Sequence, residues 1–377
     1  MEFLASAASY VVSFLLVLTV LVFVHEFGHY WVARRCGVRI EIFSIGFGPE
    51  IRGWTDRAGT RWKFSLVPLG GYVKMLGDAD AASVTSNPLV GLSPREVAES
   101  FYHKPLAQRA AIVAAGPAAN FLFAAIVFAG LFVFVGQPFT PPDVSAVLPG
   151  SAAEKAGIQS GDRILRINGE SIERFEEIQR IVQIGLEQPL DIVVRRASGE
   201  IVLRAVPTVV EEVDRLGDKH RVARLGLRAG GVEFARHDPL TAIWRSVQET
   251  YSQTVGTLRA VGQMIVGSRT TEELGGPLRI AQMSGEVVQG GVGSLLVFIA
   301  ILSINLGLIN LFPVPVLDGG HLMFYAIEAV RGRPLGPRAQ EYGFRFGLAL
   351  VLSLAVFATW NDLVHLRVVE FLVGLVT

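Results

Sequence analysis

The feature that most constrains this chain is a metal-ligand pattern set inside an apolar run. His25-Glu26-Phe27-Gly28-His29 is an H-E-x-x-H motif within VLVFVHEFGHYWVA, residues Val20–Ala33. On a helix, positions i and i+4 lie on one face about one turn apart, so both imidazoles can grip one metal ion. Glu26 then stands beside the site without being a ligand, where it can take a proton from bound water. Phe3–Val24 contains no charged residue, and the apolar run continues through Phe27, Tyr30, Trp31, Val32 and Ala33. A transmembrane helix needs about 20 such residues. Ionisable groups are costly at that depth, so three of them there read as functional. Two histidines leave the set one ligand short, because a catalytic zinc usually has three protein ligands and an open water position.

Composition agrees with a membrane setting. Of 377 residues, 51% are hydrophobic and only 18% charged, with mean hydropathy +0.44. This points to a membrane protein carrying a soluble portion. A formal net charge of zero gives no footprint for nucleic acid. The single cysteine, Cys36, excludes an internal disulfide framework and a Cys-rich metal site. The first apolar segment has no basic start and no small-residue cleavage site, so it is expected to be retained as a span.

Further long apolar segments follow Ala7–Ala33: Arg109–Val135, Gly293–Leu311 and Phe344–Trp360. No Lys or Arg precedes Arg34, whereas Arg34–Arg109 holds eleven. The loop after the third segment carries Arg331, Arg333, Arg338 and Arg345. The positive-inside rule makes both loops cytoplasmic, and the termini and the long connection between the second and third segments face outward.

Within the first loop, Ile40–Pro49 and Arg61–Met75 are β-like and aromatic, punctuated by Gly46, Gly48, Gly70 and Gly71. They read as hairpins lying against the membrane or dipping into it beside the motif helix. Asp78–Ser100 is polar and reads as flexible. In the second segment, Gly116-Pro117 interrupts the helix, and Asn120 needs an interhelical partner.

From Asp143 to about Leu227 the composition turns soluble. Strands are predicted at Val144–Leu148, Ile164–Ile167, Leu190–Arg196 and Glu200–Ala205, with helices at Ala152–Ala156 and Arg174–Ile184. The run AEKAGIQSGDRILRINGESI, Ala153–Ile172, closely resembles the core of bacterial PDZ domains, and it occurs once. Such domains bind extended peptides or C-termini by adding a strand to a sheet edge. A 3.6-residue stripe at Leu240, Ile243, Trp244, Val247, Tyr251, Val255, Leu258, Val261 and Ile265 predicts a helix resting on the membrane or on that module. A break at Gly275-Gly276-Pro277 precedes a short helix near Leu278–Val288.

The third segment runs into SINLGLINLFPVPVLDGGHL, Ser303–Leu322. A lone Asp-Gly-Gly usually marks a turn. Here Pro313 and Pro315 break a helix at membrane depth, which is tolerated only at a protected or watery place. Asp318 thereby supplies the missing carboxylate for the two histidines.

Taken together, the chain resembles the site-2 protease family of intramembrane zinc metalloproteases, in the bacterial sigma-factor-regulating form with a PDZ insertion. The resemblance rests on HEFGH at His25–His29, FGP at Phe47–Pro49, GGYVKM at Gly70–Met75, AGPAAN at Ala115–Asn120, the PDZ segment, and NLFPVPVLDGGH at Asn310–His321. It implies a zinc ion held by His25, His29 and Asp318, with Glu26 as general base. Asn310, Pro313 and Pro315 would hold substrate or, for Asn310, stabilise the oxyanion. The strand with Gly70, Gly71, Tyr72 and Val73 would pair with an unwound substrate helix. His321 could orient a ligand or complete a closed site.

The expected architecture is a polytopic α-helical membrane protein with about four transmembrane helices, membrane-associated β-hairpins and an inserted α+β PDZ domain. Its parts are a motif-bearing span (1–36), a cytoplasmic hairpin loop (37–108), a second span (109–136) and a periplasmic PDZ domain (143–228). Amphipathic periplasmic helices (237–290), a third span with the Asp-Gly-Gly motif (291–322) and a fourth span (341–363) follow. The implied activity is zinc-dependent cleavage of a single-span membrane substrate, such as an anti-sigma factor, in the inner membrane of a bacterium. The active site would lie toward the cytoplasm, and the PDZ domain would meet a peptide or a trimmed ectodomain terminus. The rival reading is a non-proteolytic membrane peptide-binding protein with a structural metal site.

Overall fold

In a lipid core the backbone finds no water, so a long apolar run must satisfy its N–H and C=O groups internally as a helix. The computed structural model describes residues 2–77, 93–185, 188–196, 199–213, 219–267 and 276–365. Among these, helical stretches at Tyr10–Arg35, Leu106–Phe134, Val292–Asn310 and Pro337–Leu363 are long and apolar enough to cross a membrane. Each covers one of the four apolar segments of the sequence, as a multi-pass membrane protein requires.

The first elements are α1 (Glu2–Arg35), β1 (Ile40–Thr55), β2 (Arg61–Met75), α2 (Pro94–Glu99) and α3 (Leu106–Phe134). A mixed region follows with β3 (Gln137–Phe139), β4 (Val144–Val147), α4 (Ala152–Lys155), β5 (Arg163–Ile167), β6 (Glu170–Ser171) and α5 (Phe175–Gly185). It continues through β7 (Leu190–Arg196), β8 (Gly199–Ala205), β9 (Thr208–Val213), β10 (Lys219–Arg224), β11 (Leu227–Ala229) and β12 (Glu233–Ala235). The chain returns to helix in α6 (Pro239–Ile265), α7 (Pro277–Gln289), α8 (Val292–Asn310), α9 (Asp318–Arg331) and α10 (Pro337–His365). It divides into two compact units, one of residues 1–130, 243–261 and 271–377, the other of 131–242 and 262–270.

In the first unit, Val17 and Leu21 of α1 pack against Phe298 and Ile299 of α8, joined by Ile280 and Val287 of α7. A second cluster joins Ala33, Val38, Ile40, Met75, Phe101, Ile112 and Val113, with Val73, Leu322 and Tyr325 at its margin. It fastens the β-structure to α1, α3 and α9.

That β-structure corrects the expectation of separate hairpins. β1 and β2 are long strands that pair antiparallel with each other and bend. Residues near Ile42–Ile45 face Arg61–Phe64 and also Gly71–Lys74, while Glu50–Thr55 pair with Arg61–Ser65. The bends fall where Gly46 and Gly70 take φ of +89° and +136°, conformations that L side chains rarely adopt. Gly71–Met75 is therefore an outer ribbon of the sheet. Its strand pairs only with β1 among the described residues.

The polar stretch expected to be flexible is corrected in part. Residues 78–92 lie outside the described residues, but Ser93 and Glu96 form a capping box that starts α2. The Arg-bearing loop after the third span is also partly helical: Arg331 ends α9, and Arg338 and Arg345 lie in α10. Asn310–Leu317 turns the chain from α8 into this helix.

The second unit is an α+β module. A sheet of order β6-β5-β7-β8 is accompanied by the pairs β4–β11, β9–β10 and β3–β12. Its core includes Val144, Ile158, Ile164, Ile167, Phe175, Ile178, Leu190, Ile192 and Val194. Strand burial alternates along β7, as period-2 side chains demand. The four strands and two helices predicted for this region coincide with β4, β5, β7, β8, α4 and α5. Of the remaining strands, β3, β6, β11 and β12 hold two or three residues each, too few to show a period.

Candidate metal centre

The site starts from helix geometry. His25 and His29 stand four residues apart on α1, with ring centroids 4.9 Å apart and planes at 82°. Their Nε2 atoms are 3.3 Å from each other. Asp318 Oδ2 lies 3.1 Å from His25 Nε2 and 3.5 Å from His29 Nε2. The three residues' ligand atoms all fall within 4.8 Å of one another.

Asp318 reaches this point because α8 stops at Asn310 and α9 starts on the aspartate itself. A helix N-terminus favours a carboxylate in its first turn. The two glycines after it let α9 begin against the preceding loop. A Cβ on Gly319 would overlap the Leu311 and Phe312 carbonyl oxygens, and one on Gly320 would overlap that of Val314. Val316, two residues before the aspartate, takes φ +97°. A β-branched residue there costs on the order of 1–3 kcal/mol, and such outliers gather at functional sites.

Helix α3 supplies the back wall. Ile112, Gly116 and Asn120 are spaced i, i+4, i+8 and share one face. His29 Nδ1 donates to the Ile112 carbonyl at 2.8 Å, and Asn120 meets His25 Nδ1 at 3.1 Å. Between them, a Cβ on Gly116 would overlap His29 Nε2 and come within 2.9 Å of His25 Cε1. Gly28, inside the motif, sits against the Ala115 carbonyl in the same way. Pro117 lies within α3, and the helix continues through it to Phe134.

The donor set fits a cation. Asp318 Oδ2 is buried yet accepts no hydrogen bond of good geometry, although a buried carboxylate normally has its lone pairs satisfied. Two imidazole nitrogens and this oxygen converge on one small volume. Two nitrogens with one oxygen and room for water are a catalytic zinc donor set.

A cavity of about 680 Å³ opens on the cluster. Its wall includes Glu26, Asn310, His321 and the Gly71–Met75 ribbon. Glu26 borders that ribbon directly, since a Cβ on Gly71 would lie 3.1 Å from Glu26 Cγ. Of the residues predicted to hold substrate, Gly71, Tyr72, Val73 and Asn310 line the cavity, while Gly70, Pro313 and Pro315 do not. Gly70 instead backs onto the Phe47 ring, and Pro315 is buried beside Gly347 of α10. Val316 and Leu317 form the wall at that end. His321 lines the cavity but is not one of the three clustered ligands. The sequence asks only for a partner for Asn120 and does not join it to the site, because that partner is 95 residues away.

Such a centre, held between membrane-length helices, defines a class: polytopic membrane proteins with an internal two-histidine, one-carboxylate site. The model of peptidase family M50 matches residues 13–354, and the chain belongs to that family. A relative from Rhizobium meliloti named "Putative zinc metalloprotease" is 49% identical over 93% of this chain and 95% of its own length. One from Agrobacterium fabrum with the same designation is 47% identical over 94% of this chain and 95% of its own length. "Metalloprotease MmpA" from Caulobacter vibrioides is 40% identical over 97% of this chain and 98% of its own length.

Proposed function

We propose that this protein is a zinc metalloendopeptidase that cuts a transmembrane segment of a single-span substrate inside the bilayer. The observation that carries this is the convergence of Asp318 on His25 and His29, which with Glu26 stand on a helix apolar enough to span a membrane. Family membership and the zinc-metalloprotease names of its relatives support the chemistry.

His25, His29 and Asp318 would hold the zinc. When bound, zinc acidifies a water ligand and polarises a carbonyl as a Lewis acid. Glu26, adjacent but not in the ligand set, accepts a proton from the attacking water and returns it to the amine of the broken bond. Asn310, on the cavity wall, offers a side-chain amide to the developing oxyanion. A membrane helix hides its peptide bonds in its own hydrogen bonds, so the substrate must unwind before attack. The outer ribbon Gly71–Met75 gives an extended segment a strand to pair with, next to Glu26.

The second unit is read as one PDZ domain on the outer face. It would bind a peptide or trimmed ectodomain terminus and so restrict cleavage to substrates already shortened. Bacterial relatives and the Arg-rich loops support an inner-membrane protein with its active site toward the cytoplasm. An anti-sigma factor is one substrate of the required form.

The test is co-expression with a tagged single-span substrate shortened on its outer side. A smaller fragment with the wild type and none with Glu26→Gln is expected. Equal fragments from both would remove Glu26, and this site, from the reaction. The structural-metal alternative would need a fourth protein ligand such as His321, and among the described residues the cluster holds three.

A further inference from the structure

The two imidazoles of the cluster are anchored from the same helix. His29 Nδ1 faces the Ile112 carbonyl at 2.8 Å. A carbonyl only accepts, so His29 carries a proton on Nδ1, and its neutral ring presents a bare Nε2 to the centre of the cluster. His25 faces the same centre with Nε2, 3.1 Å from Asp318 Oδ2. Its Nδ1 lies 3.1 Å from the Asn120 side-chain amide.

Asn120 is fully buried, with its amide nitrogen toward the ring and an oxygen that has no hydrogen-bond partner. The amide nitrogen and oxygen are interchangeable in shape, and their assignment follows from the network. In that orientation a donating nitrogen would leave His25 Nδ1 bare and put the proton on Nε2, where it blocks metal binding. Turning the amide by 180° places the orphaned oxygen against a protonated Nδ1 and frees Nε2.

We infer that Asn120 is a positioning residue: its side-chain oxygen accepts from His25 Nδ1–H and fixes the tautomer and ring angle that let His25 bind the metal. The inference rests on the reading of His25 as a ligand. Ile112 performs the same task for His29 through its main chain. Thus one face of α3, at i and i+8 around Gly116, orients both ligands. A backbone acceptor cannot be deleted by substitution, so Asn120 is the half of this device that mutation can reach.

The experiment measures zinc affinity of the full-length protein in detergent by chelator competition, with the visible spectrum of the cobalt-substituted form as a second readout. Neither depends on cleavage. Asn120→Leu keeps the volume and removes the acceptor, and a loss of 10–100-fold in affinity is expected, the usual cost of removing a ligand's orienting partner. Asn120→Asp keeps an oxygen acceptor, and affinity within about threefold of wild type with an unchanged cobalt spectrum is expected. Wild-type affinity in Asn120→Leu would overturn the inference. So would an Asn120→Asp protein that folds but binds tenfold or more weakly, and this arm decides the matter even if Asn120→Leu fails to fold. His25→Ala separates the inference from its premise: undiminished zinc binding there would remove His25 from the ligand set itself.

Discussion

Three aspartates in this protein, two of them buried and one half-buried, have different surroundings, and the difference separates a fold from a site. In the α+β unit, Asp162 is 1% exposed and saturated: Arg196 donates to it through Nε at 2.7 Å and Nη2 at 2.8 Å, and Gln159 N–H at 2.8 Å. In the membrane unit, Asp362 of α10 accepts from the N–H groups of Gly276, Leu278 and Arg279. Asp318 has instead two imidazole nitrogens nearby and an Oδ2 that accepts nothing. A carboxylate that closes its own network stabilises structure; one left open among ligand atoms is prepared for a cation. Sequence neighbours do not distinguish the three, since Asp162 and Asp318 both sit beside glycine.

The largest effect should come from breaking the open aspartate or its neighbour. Asp318→Ala is expected to abolish stoichiometric zinc binding, read by metal analysis of the purified protein, and cleavage with it. Glu26→Gln is expected to keep the zinc and lower the cleavage rate by about 10²–10⁴-fold, the scale of a lost general base. If Glu26→Gln also lost the metal, Glu26 would be a ligand rather than a base. The comparison sharpens in the metal-free protein, where Asp318→Ala removes a carboxylate whose inner oxygen accepts no hydrogen bond. Its thermal midpoint should be no lower than that of the metal-free wild type, and a clear drop would make Asp318 structural like the other two.

The spans, the HEFGH helix and the break that ends the third span before Asp318 are legible because each is local: an apolar run, an i,i+4 pair, a helix stop. The bend that lets Ile42–Ile45 face two ribbons was hidden, since only the glycines at Gly46 and Gly70 hint at it and glycine has many uses. α9 was missed because its start depends on contacts of Gly319 and Gly320 with the loop before them. The short strands β11 and β12 hold three residues each, too few for a period. Asn120 announced a need for a partner, but its partner was set by the crossing of α1 and α3 at Gly28 and Gly116.

Breaking the saturated aspartate of the α+β unit should be a matter of stability. Asp162→Ala leaves Arg196 without its carboxylate partner, with only the Gly157 carbonyl still accepting from it, and is expected to cost about 2–3 kcal/mol. Hydrogen exchange over β5 and β7 in the full-length protein would register it, with the metal content unchanged. The Arg196 hydrogen bond holds the Asp162 carboxyl below its ordinary value of 3.8. A depressed carboxyl contributes stability that is fully present above the unfolded-state value and is lost as pH falls through the folded-state one. Protection of β5 should therefore be flat near neutrality and fall below about pH 3.8 in the wild type. The Asp162→Ala protein should lack that part of the fall, and an identical acid profile would exclude the Asp162–Arg196 pair as its source.

The smallest effect belongs to Asp362. Helix α7 begins at Gly276-Pro277, where glycine offers no side-chain cap and proline no N–H. The donors left in its first turn, from Gly276, Leu278 and Arg279, all reach one carboxylate 83–86 residues further along the chain, at 2.8–3.1 Å. Asp362 is thus an N-cap delivered from a neighbouring helix, and its charge also meets the positive end of the α7 dipole. Asp362→Ala should cost about 1–2 kcal/mol, the range for a lost cap. Exchange of the α7 amides should speed by roughly 5–30-fold, while β5 and the zinc stoichiometry stay as in the wild type. Asp362→Asn retains one acceptor oxygen for those donors and should recover part of the protection. If loss of Asp362 instead depleted the zinc, the closed and open carboxylates would be coupled through α7 and α1, whose helices pack at Val17, Leu21, Ile280 and Val287.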